Sequence, residues 1–248
     1  MISIKTKQEI ELMRDVNRII GLLFEHLRPL IQPGITTYEL DREAELFIRS
    51  HNAKPGFKGY RGYPATICAS VNNEVVHGIP GPRKLVEGDI ISIDVGAIKH
   101  GFNADAARTF PVGKISEDAR RLIDVTKRAL DAGIDKARPG NRLYDISAAV
   151  QKVAESAGYG IVRDFVGHGI GRNLHEDPQI PNFGKQGTGP VLKKGMTFAI
   201  EPMINMGTWK VKILNNGWTV VTADGSLSAH FENTIAITND GPYVLSVP

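Results

Sequence analysis

Asp94 stands in the run Asp89-Ile90-Ile91-Ser92-Ile93-Asp94-Val95-Gly96, and Glu201 in Thr197-Phe198-Ala199-Ile200-Glu201-Pro202-Met203. Both runs are apolar and strand-like, and an unpaired carboxylate buried in such a run costs several kcal/mol. Each acid therefore needs a basic partner, a hydrogen-bond network or a metal. A lone acid of this kind is more often a strand-end or edge carboxylate, but two at matching places in a repeat point towards a metal. Asp105 follows Asp94 across Ile98-Lys99-His100-Gly101, which suits a tight hairpin with Lys99-His100 at its tip. On that register residue i faces residue 199 − i, so Asp94 faces Asp105. Two opposed carboxylates repel unless they share a proton or a cation. A hard divalent cation answers both the repulsion and the desolvation cost. His230-Phe231-Glu232-Asn233-Thr234-Ile235 buries another acid in the same manner. Four carboxylates neutralise two divalent ions, and a two-ion centre can activate one shared water.

Three histidines keep unusual company. His168 lies in Val166-Gly167-His168-Gly169-Ile170-Gly171, where glycines let a backbone or a ligand come close. Such a histidine is more often structural than catalytic, but an imidazole beside carboxylates suits transition metals rather than Ca²⁺ or Mg²⁺. His77 precedes Gly78-Ile79-Pro80 at a strand-to-turn boundary, and His175 lies in the polar loop Asn173-Leu174-His175-Glu176-Asp177-Pro178. Either could hydrogen-bond a substrate amide or carbonyl, or be an ordinary loop residue. His26 and His51 take helical positions and His100 a turn tip. Gly167-x-Gly169-x-Gly171 lacks dinucleotide-binding spacing, and no Walker A loop, HExxH, nucleophile elbow or EF-hand loop is present. Cys68, the single cysteine, excludes a disulfide framework and a four-cysteine zinc module, and reads as a small buried or pocket-lining side chain.

The elements that must position these groups follow from periodicity. Thr6 to Glu9 fits a capping box ahead of the apolar stripe Val16, Ile20, Leu23, Leu27 and Leu30, and Pro33-Gly34 stops that helix. Thr36 and Glu39 form a second box. Further helices are predicted over 116–137 and 141–156, and strands over 66–71, 90–98, 102–111, 196–203, 218–221 and 230–237. The chain also repeats itself. Pro33-Gly34-x-x-x-Tyr38-Glu39-Leu40 recurs 106 residues later as Pro139-Gly140-x-x-x-Tyr144-Asp145-Ile146. Leu85-x-x-Gly88-x-x-x-x-Ile93-Asp94 recurs 107 residues later as Leu192-x-x-Gly195-x-x-x-x-Ile200-Glu201. The expected architecture is one domain over 1–248 built from two similar halves, roughly 1–112 and 113–248. A length of 248 residues supports a full core without disulfides, and a net charge of +3 is too small to diagnose nucleic-acid binding. No secretory h-region or membrane-length apolar run is present, so a cytoplasmic protein is the default.

Taken together the residues resemble type I methionine aminopeptidases of bacterial type over essentially the whole chain. The resemblance rests on residues 73–80 (NEVVHGIP), 88–96 (GDIISIDVG), 101–110 (GFNADAARTF), 167–178 (GHGIGRNLHEDP), 199–202 (AIEP) and 226–234 (SLSAHFENT). It implies the α/β (α+β) pita-bread fold, a pseudo-two-fold antiparallel sheet covered by helices with a metal site at its centre. It implies that Asp94 chelates one metal, that His168 and Glu201 bind the other, and that Asp105 and Glu232 bridge both. His77 and His175 fall on the two substrate-contacting histidines, with Glu201 as general base. Tyr60, Tyr63, Cys68 and Trp218 should line a methionine pocket, with Phe57 and Leu174 nearby, a setting that suits an unbranched thioether. The cofactors implied are two divalent ions (Co, Mn, Fe or Zn), and Asn72 with Ser228 lies near where the family can hold a monovalent cation. The implied activity is removal of initiator methionine from nascent polypeptides by a metal-bridging water or hydroxide. A monomer is implied, without a membrane partner, and a transient ribosome contact is compatible with it. Two departures bear on tuning rather than ligation: Asn103-Ala104 before Asp105, where Gly is often found, and Asn233 after Glu232, where His is frequent. Xaa-Pro peptidases of the same fold usually carry a large extra N-terminal domain, for which this chain has no room, and non-enzymatic relatives have typically lost metal ligands.

Overall fold

The computed structural model describes residues 1–248. Its helices are α1 (Lys7–Leu27), α2 (Thr37–Ser50), α3 (Glu117–Lys136) and α4 (Leu143–Ser156). The strands of the first half are β1 (Lys54–Pro55), β2 (Ile67–Val71), β3 (Glu74–Val76), β4 (Ile90–Lys99) and β5 (Phe102–Pro111). Those of the second are β6 (Gly160–Ile161), β7 (Gly167–Gly169), β8 (Glu176–Ile180), β9 (Thr197–Ile200) and β10 (Met203–Asn205), then β11 (Val211–Ile213), β12 (Val220–Thr222), β13 (Ser228–His230), β14 (Glu232–Thr238) and β15 (Gly241–Val244). Nine strands form one antiparallel sheet in the order β1-β4-β5-β14-β9-β7-β8, with β2 also on β4 and β15 on β14. Two three-stranded sheets, β13-β10-β6 and β11-β12-β3, complete the fold.

Local chemistry starts the helices where the sequence places them. Thr6 Oγ1 accepts from Glu9 N at 3.2 Å while Glu9 Oε2 accepts from Thr6 N at 3.0 Å, and Thr36 with Glu39 repeats the arrangement. The first helix is shorter than expected. It ends at Leu27, and Arg28–Leu30 form a 3-10 turn, because Pro29 has no N–H to continue the ladder. Ile91, Ile93 and Val95 of β4 and Ala104 and Ala106 of β5 pack with Val16, Ile20 and Leu23 of α1 in one core. Phe198, Ile200, Ile235 and Ile237 pack with Leu130 and Ile134 of α3 and Ile146 of α4 in another. Burying each Val, Leu, Ile or Phe among them contributes roughly 1.5–3 kcal/mol. The helices thus occupy the face of the sheet defined by the odd residues of β4 and the even residues of β5. The opposite face is left for the site.

The two halves make the same backbone bonds. Gly34 N donates to Leu85 O at 2.7 Å and Gly140 N to Leu192 O at 3.0 Å. Isolated bridges join Thr36 to Lys84 and Arg142 to Val191. Gly34 and Gly140 have φ of 98° and 89°, which explains the glycine in both Pro-Gly pairs.

Four further sequence expectations need correction. The β4–β5 hairpin turns on His100-Gly101, with φ of 55° and 74°, so residue i pairs with 201 − i rather than 199 − i. Two left-handed residues match the twist of the flanking strands, which a Lys99-His100 turn would not supply. Asp94 therefore faces Ala107, and Asp105 faces Gly96. The run over 196–203 is two strands, because Pro202 cannot donate to the ladder, and Glu201 sits in the break. The run over 230–237 likewise breaks at Phe231, and Trp218 precedes β12 rather than lying within it.

Candidate metal centre

Register brings the acids together. Directly paired residues project from one face of a sheet, and so do residues two apart on a strand. Cys68, Asp94, Ala107 and Glu232 form one row across β2, β4, β5 and β14. Asn233 pairs with Ile200, which carries the same row onward to Glu201. The next row holds Gly96 opposite Asp105, then Thr234 opposite Ala199, and Ala199 opposite His168. Thr234 Oγ1 donates to Asp105 O at 2.7 Å and ties the two halves of that row. Five groups from five strands or strand ends therefore converge on one face. Small residues at 107 and 199 separate them, and Gly96 admits the Phe57 ring.

The convergence is close. Single ligand atoms of Asp105, His168 and Glu232 lie within 4.8 Å of one another, and all three residues are buried. His168 Nε2 is 3.6 Å from Asp105 Oδ2 and 3.5 Å from Glu201 Oε1. A cation about 2.1 Å from each of two atoms so spaced sees them at an angle of roughly 110–120°, an ordinary coordination angle. His168 Nδ1 donates to Gly169 O at 2.9 Å, which leaves the Nε2 lone pair directed at the carboxylates. Asp94 Oδ1, Asp105 Oδ1 and Glu232 Oε1 are buried without a hydrogen-bond partner. Without a cation, burial and then mutual repulsion push the carboxyls of Asp94, Glu201 and Glu232 far above the usual carboxylate range. Burial raises Asp105 to about 8. Orphaned acceptors, clustered charge and a mixed oxygen and nitrogen donor set fit a divalent transition metal.

The cluster forms the floor of a cavity of about 290 Å³. Its walls include Phe57, Tyr60, Tyr63, Cys68, Leu174 and Trp218, together with His77 and His175. Every sequence-predicted site residue is therefore present in one cavity. Tyr63 Oη donates to the carbonyls of Ile67 and Gly78, both at 3.0 Å, and its ring meets Trp218 edge-on at 5.1 Å. Burial raises the Cys68 thiol well above its usual range, so it stays protonated and serves as wall. His175 bonds Tyr60 Oη through Nδ1 at 2.8 Å, and its ring lies 4.3 Å from that of His168. Burial lowers both His77 and His175 to about 4, so both are neutral imidazoles at pH 7. Outside the cavity, Asn72 O accepts from Ser228 N at 2.9 Å, which joins the two residues named for a monovalent cation. A larger groove, about 740 Å³, runs between α1 and α3 on the helical face and contains none of these groups.

The sequence profile of metallopeptidase family M24 matches residues 11–239. The methionine aminopeptidase of Clostridium perfringens is 56% identical over 247 residues, covering 100% of this chain and 99% of that one. The chain belongs to metallopeptidase family M24, among its methionine aminopeptidases. The crystal structure of methionine aminopeptidase from Thermotoga maritima superposes on the M24 chain with a TM-score of 0.98 at 47% identity, each chain fully covered. Prolidase from Pyrococcus furiosus aligns with a TM-score of 0.81 at 25% identity, and the match covers 99% of this chain but 65% of that one. The pita-bread fold is thus shared, while full-length identity separates the M24 chain from the prolidase.

Two cavity residues of the M24 chain, and one buried behind its floor, escaped the sequence reading. His230 is buried with Nε2 unpartnered, 3.8 Å from Glu201 Oε2. Its place two residues before Glu232 was the available signal. Phe165 meets His77 edge-on at 5.6 Å, and Arg61 lines the rim, but no local pattern marks either. The two departures from the family pattern are structural. Asn103 Nδ2 donates to Gly171 O and Arg172 O, and Asn233 Oδ1 accepts from Arg108 Nη2 and Ser246 Oγ on the helical face.

The glycines around His168 admit backbone rather than ligand. A Cβ on Gly167 would lie 2.5 Å from Ala199 O, and one on Gly169 would lie 2.1 Å from Asp177 O. Gly169→Ala must therefore displace the loop that carries His175. Its kcat/KM on a methionyl peptide should fall by about a hundredfold, the usual effect of a displacement near 1 Å. Gly81→Ala, whose Cβ meets nothing within 4 Å, is the control. Equal activity of the two variants would refute the packing argument.

Proposed function

We propose a division of labour among the cavity residues for the removal of N-terminal methionine from polypeptides, the metal-dependent activity of this chain. Asp94, Asp105, His168, Glu201 and Glu232 would hold two divalent ions, with Asp94 on one, His168 and Glu201 on the other, and Asp105 and Glu232 on both. The ion types that suit this donor set are Co, Mn, Fe and Zn. When bound they would supply a Lewis acid and a water of lowered pKa. The observation that carries the reading is the convergence of these five groups beneath an apolar, aromatic pocket.

The chain's own groups then act as follows. The methionine side chain enters between Tyr63, Cys68 and Trp218, with Phe57 and Leu174 closing the wall. With Tyr60 Oη donating to Nδ1, neutral His175 carries its proton on Nε2 and donates it towards the scissile carbonyl. His77, also neutral, contacts the peptide nitrogen or the tetrahedral intermediate. Glu201 accepts the proton of the attacking water and returns it to the leaving amine, a general base and then general acid. The free amino terminus of the substrate meets the carboxylate-rich floor, which restricts cleavage to the first bond.

We further propose one catalytic domain over 1–248 made of two halves, supported by their matching backbone bonds. A monomer belongs to the same proposal, and no helix is long and apolar enough to cross a membrane. Action on nascent chains in the cytoplasm, with a transient ribosome contact, completes the proposal, and a monovalent cation beside Asn72 and Ser228 would be structural. Purified protein should release methionine from Met-Ala-Ser with Mn²⁺, Fe²⁺ or Co²⁺, leave Leu-Ala-Ser nearly intact, and lose activity in chelator. Equal cleavage of both peptides, or indifference to chelator, would sink the proposal.

A further inference from the structure

Arg61 is the one Lys or Arg in the cavity lining, and it lies exposed at the rim. Its backbone is left-handed, with φ 48° and ψ 25°, between Gly59 at φ 88° and Gly62 at φ 87°. Glycine would adopt that conformation without strain, whereas an arginine is strained in it. The turn is rigid: Gly59 N donates to Tyr63 O at 2.8 Å, Tyr60 N to Phe57 O at 2.9 Å and Tyr63 N to Tyr60 O at 2.9 Å. Of the non-glycine residues with positive φ, only His77 shares the cavity with Arg61. The guanidinium lies 5.4 Å from the Tyr60 ring centroid, and no carboxylate is within salt-bridge distance of it.

The charge arithmetic of the cavity makes this side chain conspicuous. Four carboxylates on the floor balance the two divalent ions of the proposed function, and no other Lys or Arg lines the cavity. Arg61 then holds the uncompensated charge of the lining. A cavity of about 290 Å³ takes little more than the first residue of a peptide, so the following residues leave across the rim. Tyr60, next to Arg61, holds His175, the group aimed at the scissile carbonyl, so Arg61 stands beside the path of the leaving chain.

We propose that Arg61 is a specificity-determining residue that favours substrates carrying a carboxylate just downstream of the scissile bond. The inference rests on the proposed function, because it takes the first residue to fill the pocket. The carboxylate could come from an acidic side chain or from the C-terminus of a short peptide, so the test uses C-terminally amidated peptides beside one free acid. The set is Met-Ala-Asp-Ser-amide, Met-Ala-Ser-Asp-amide, Met-Ala-Lys-Ser-amide, and Met-Ala-Ser both as its amide and with a free carboxylate. An exposed ion pair sets the scale, so the Asp to Lys ratio of kcat/KM should be about threefold to fivefold at low salt. It should shrink at 1 M salt, where screening extends to about 3 Å. In Arg61→Gln the ratio should fall to about one, and Arg61→Lys should keep most of it. A preference for the free acid over its amide alone assigns the effect to the peptide C-terminus. An unchanged ratio in Arg61→Gln, or no preference in the wild type, overturns the inference. Failure of the wild type to release methionine from any peptide would instead overturn the proposed function.

Discussion

Glu201→Gln should lower kcat on Met-Ala-Ser by about a hundredfold to ten-thousandfold, the range expected when a general base is lost. Glu201 is placed for two tasks. Oε1 lies 3.5 Å from His168 Nε2, on the side where the other ligands gather, and Oε2 lies 3.8 Å from buried His230. Its backbone carbonyl accepts from Asn182 Nδ2 at 3.0 Å, and Pro202 fixes the strand break beneath it. Glutamine keeps the shape and one oxygen but cannot take a proton. The metal-free variant should fold, because the acid it replaces is already driven towards its neutral form by burial. Pre-steady-state kinetics with metal analysis separates the two tasks. Full metal content with kcat within tenfold of wild type would remove Glu201 from the role of base.

Asp105→Asn should move stability and metal affinity in opposite directions. Asp105 Oδ1 is buried and unpartnered, beside Asp94 and His168. An unpaired buried acceptor costs about 1–3 kcal/mol, more when charged, so neutralising it should stabilise the metal-free chain by that order. Loss of a carboxylate from the proposed metal set should weaken metal binding by about a hundredfold. The pH dependence has a definite sign. The folded pKa of Asp105, about 8, lies above the ordinary unfolded value. Its contribution to stability is therefore fully present below about pH 4 and is lost as pH rises towards 8. The neutral buried histidines act the other way, losing stability as pH falls from about 6.5, but they cancel in the difference between variant and wild type. Urea unfolding of both proteins in chelator at pH 5 and pH 8 measures this. A metal-free variant less stable than wild type at pH 8 would contradict the account.

Much of this site was legible because strand parity is robust. The expected hairpin register was wrong by two residues, yet a shift of two keeps every side chain on its face, so Asp94 and Asp105 still share one. A shift of one would have separated them. The strand around Glu201 was read too long although Pro202 was in plain view, because the apolar run on both sides outweighed it. The helix starts were legible because a capping box is local chemistry, complete within four residues. His230 and Arg61 were not legible for different reasons. His230 gains its meaning only from the fold that sets Glu201 beside it, and Arg61 from a left-handed backbone that no side-chain pattern announces.

The rows of ligands across the sheet also constrain when the centre can exist. Asp94 and Glu232 share a row but lie 138 residues apart in the chain. No fragment that ends before residue 232 holds both, and the strands between them must pair before their carboxylates approach. Metal capture therefore reports the last non-local pairings, in the slow regime of high contact order, and not the formation of any single helix or hairpin. A chain of this kind cannot process other proteins while it is itself unfinished.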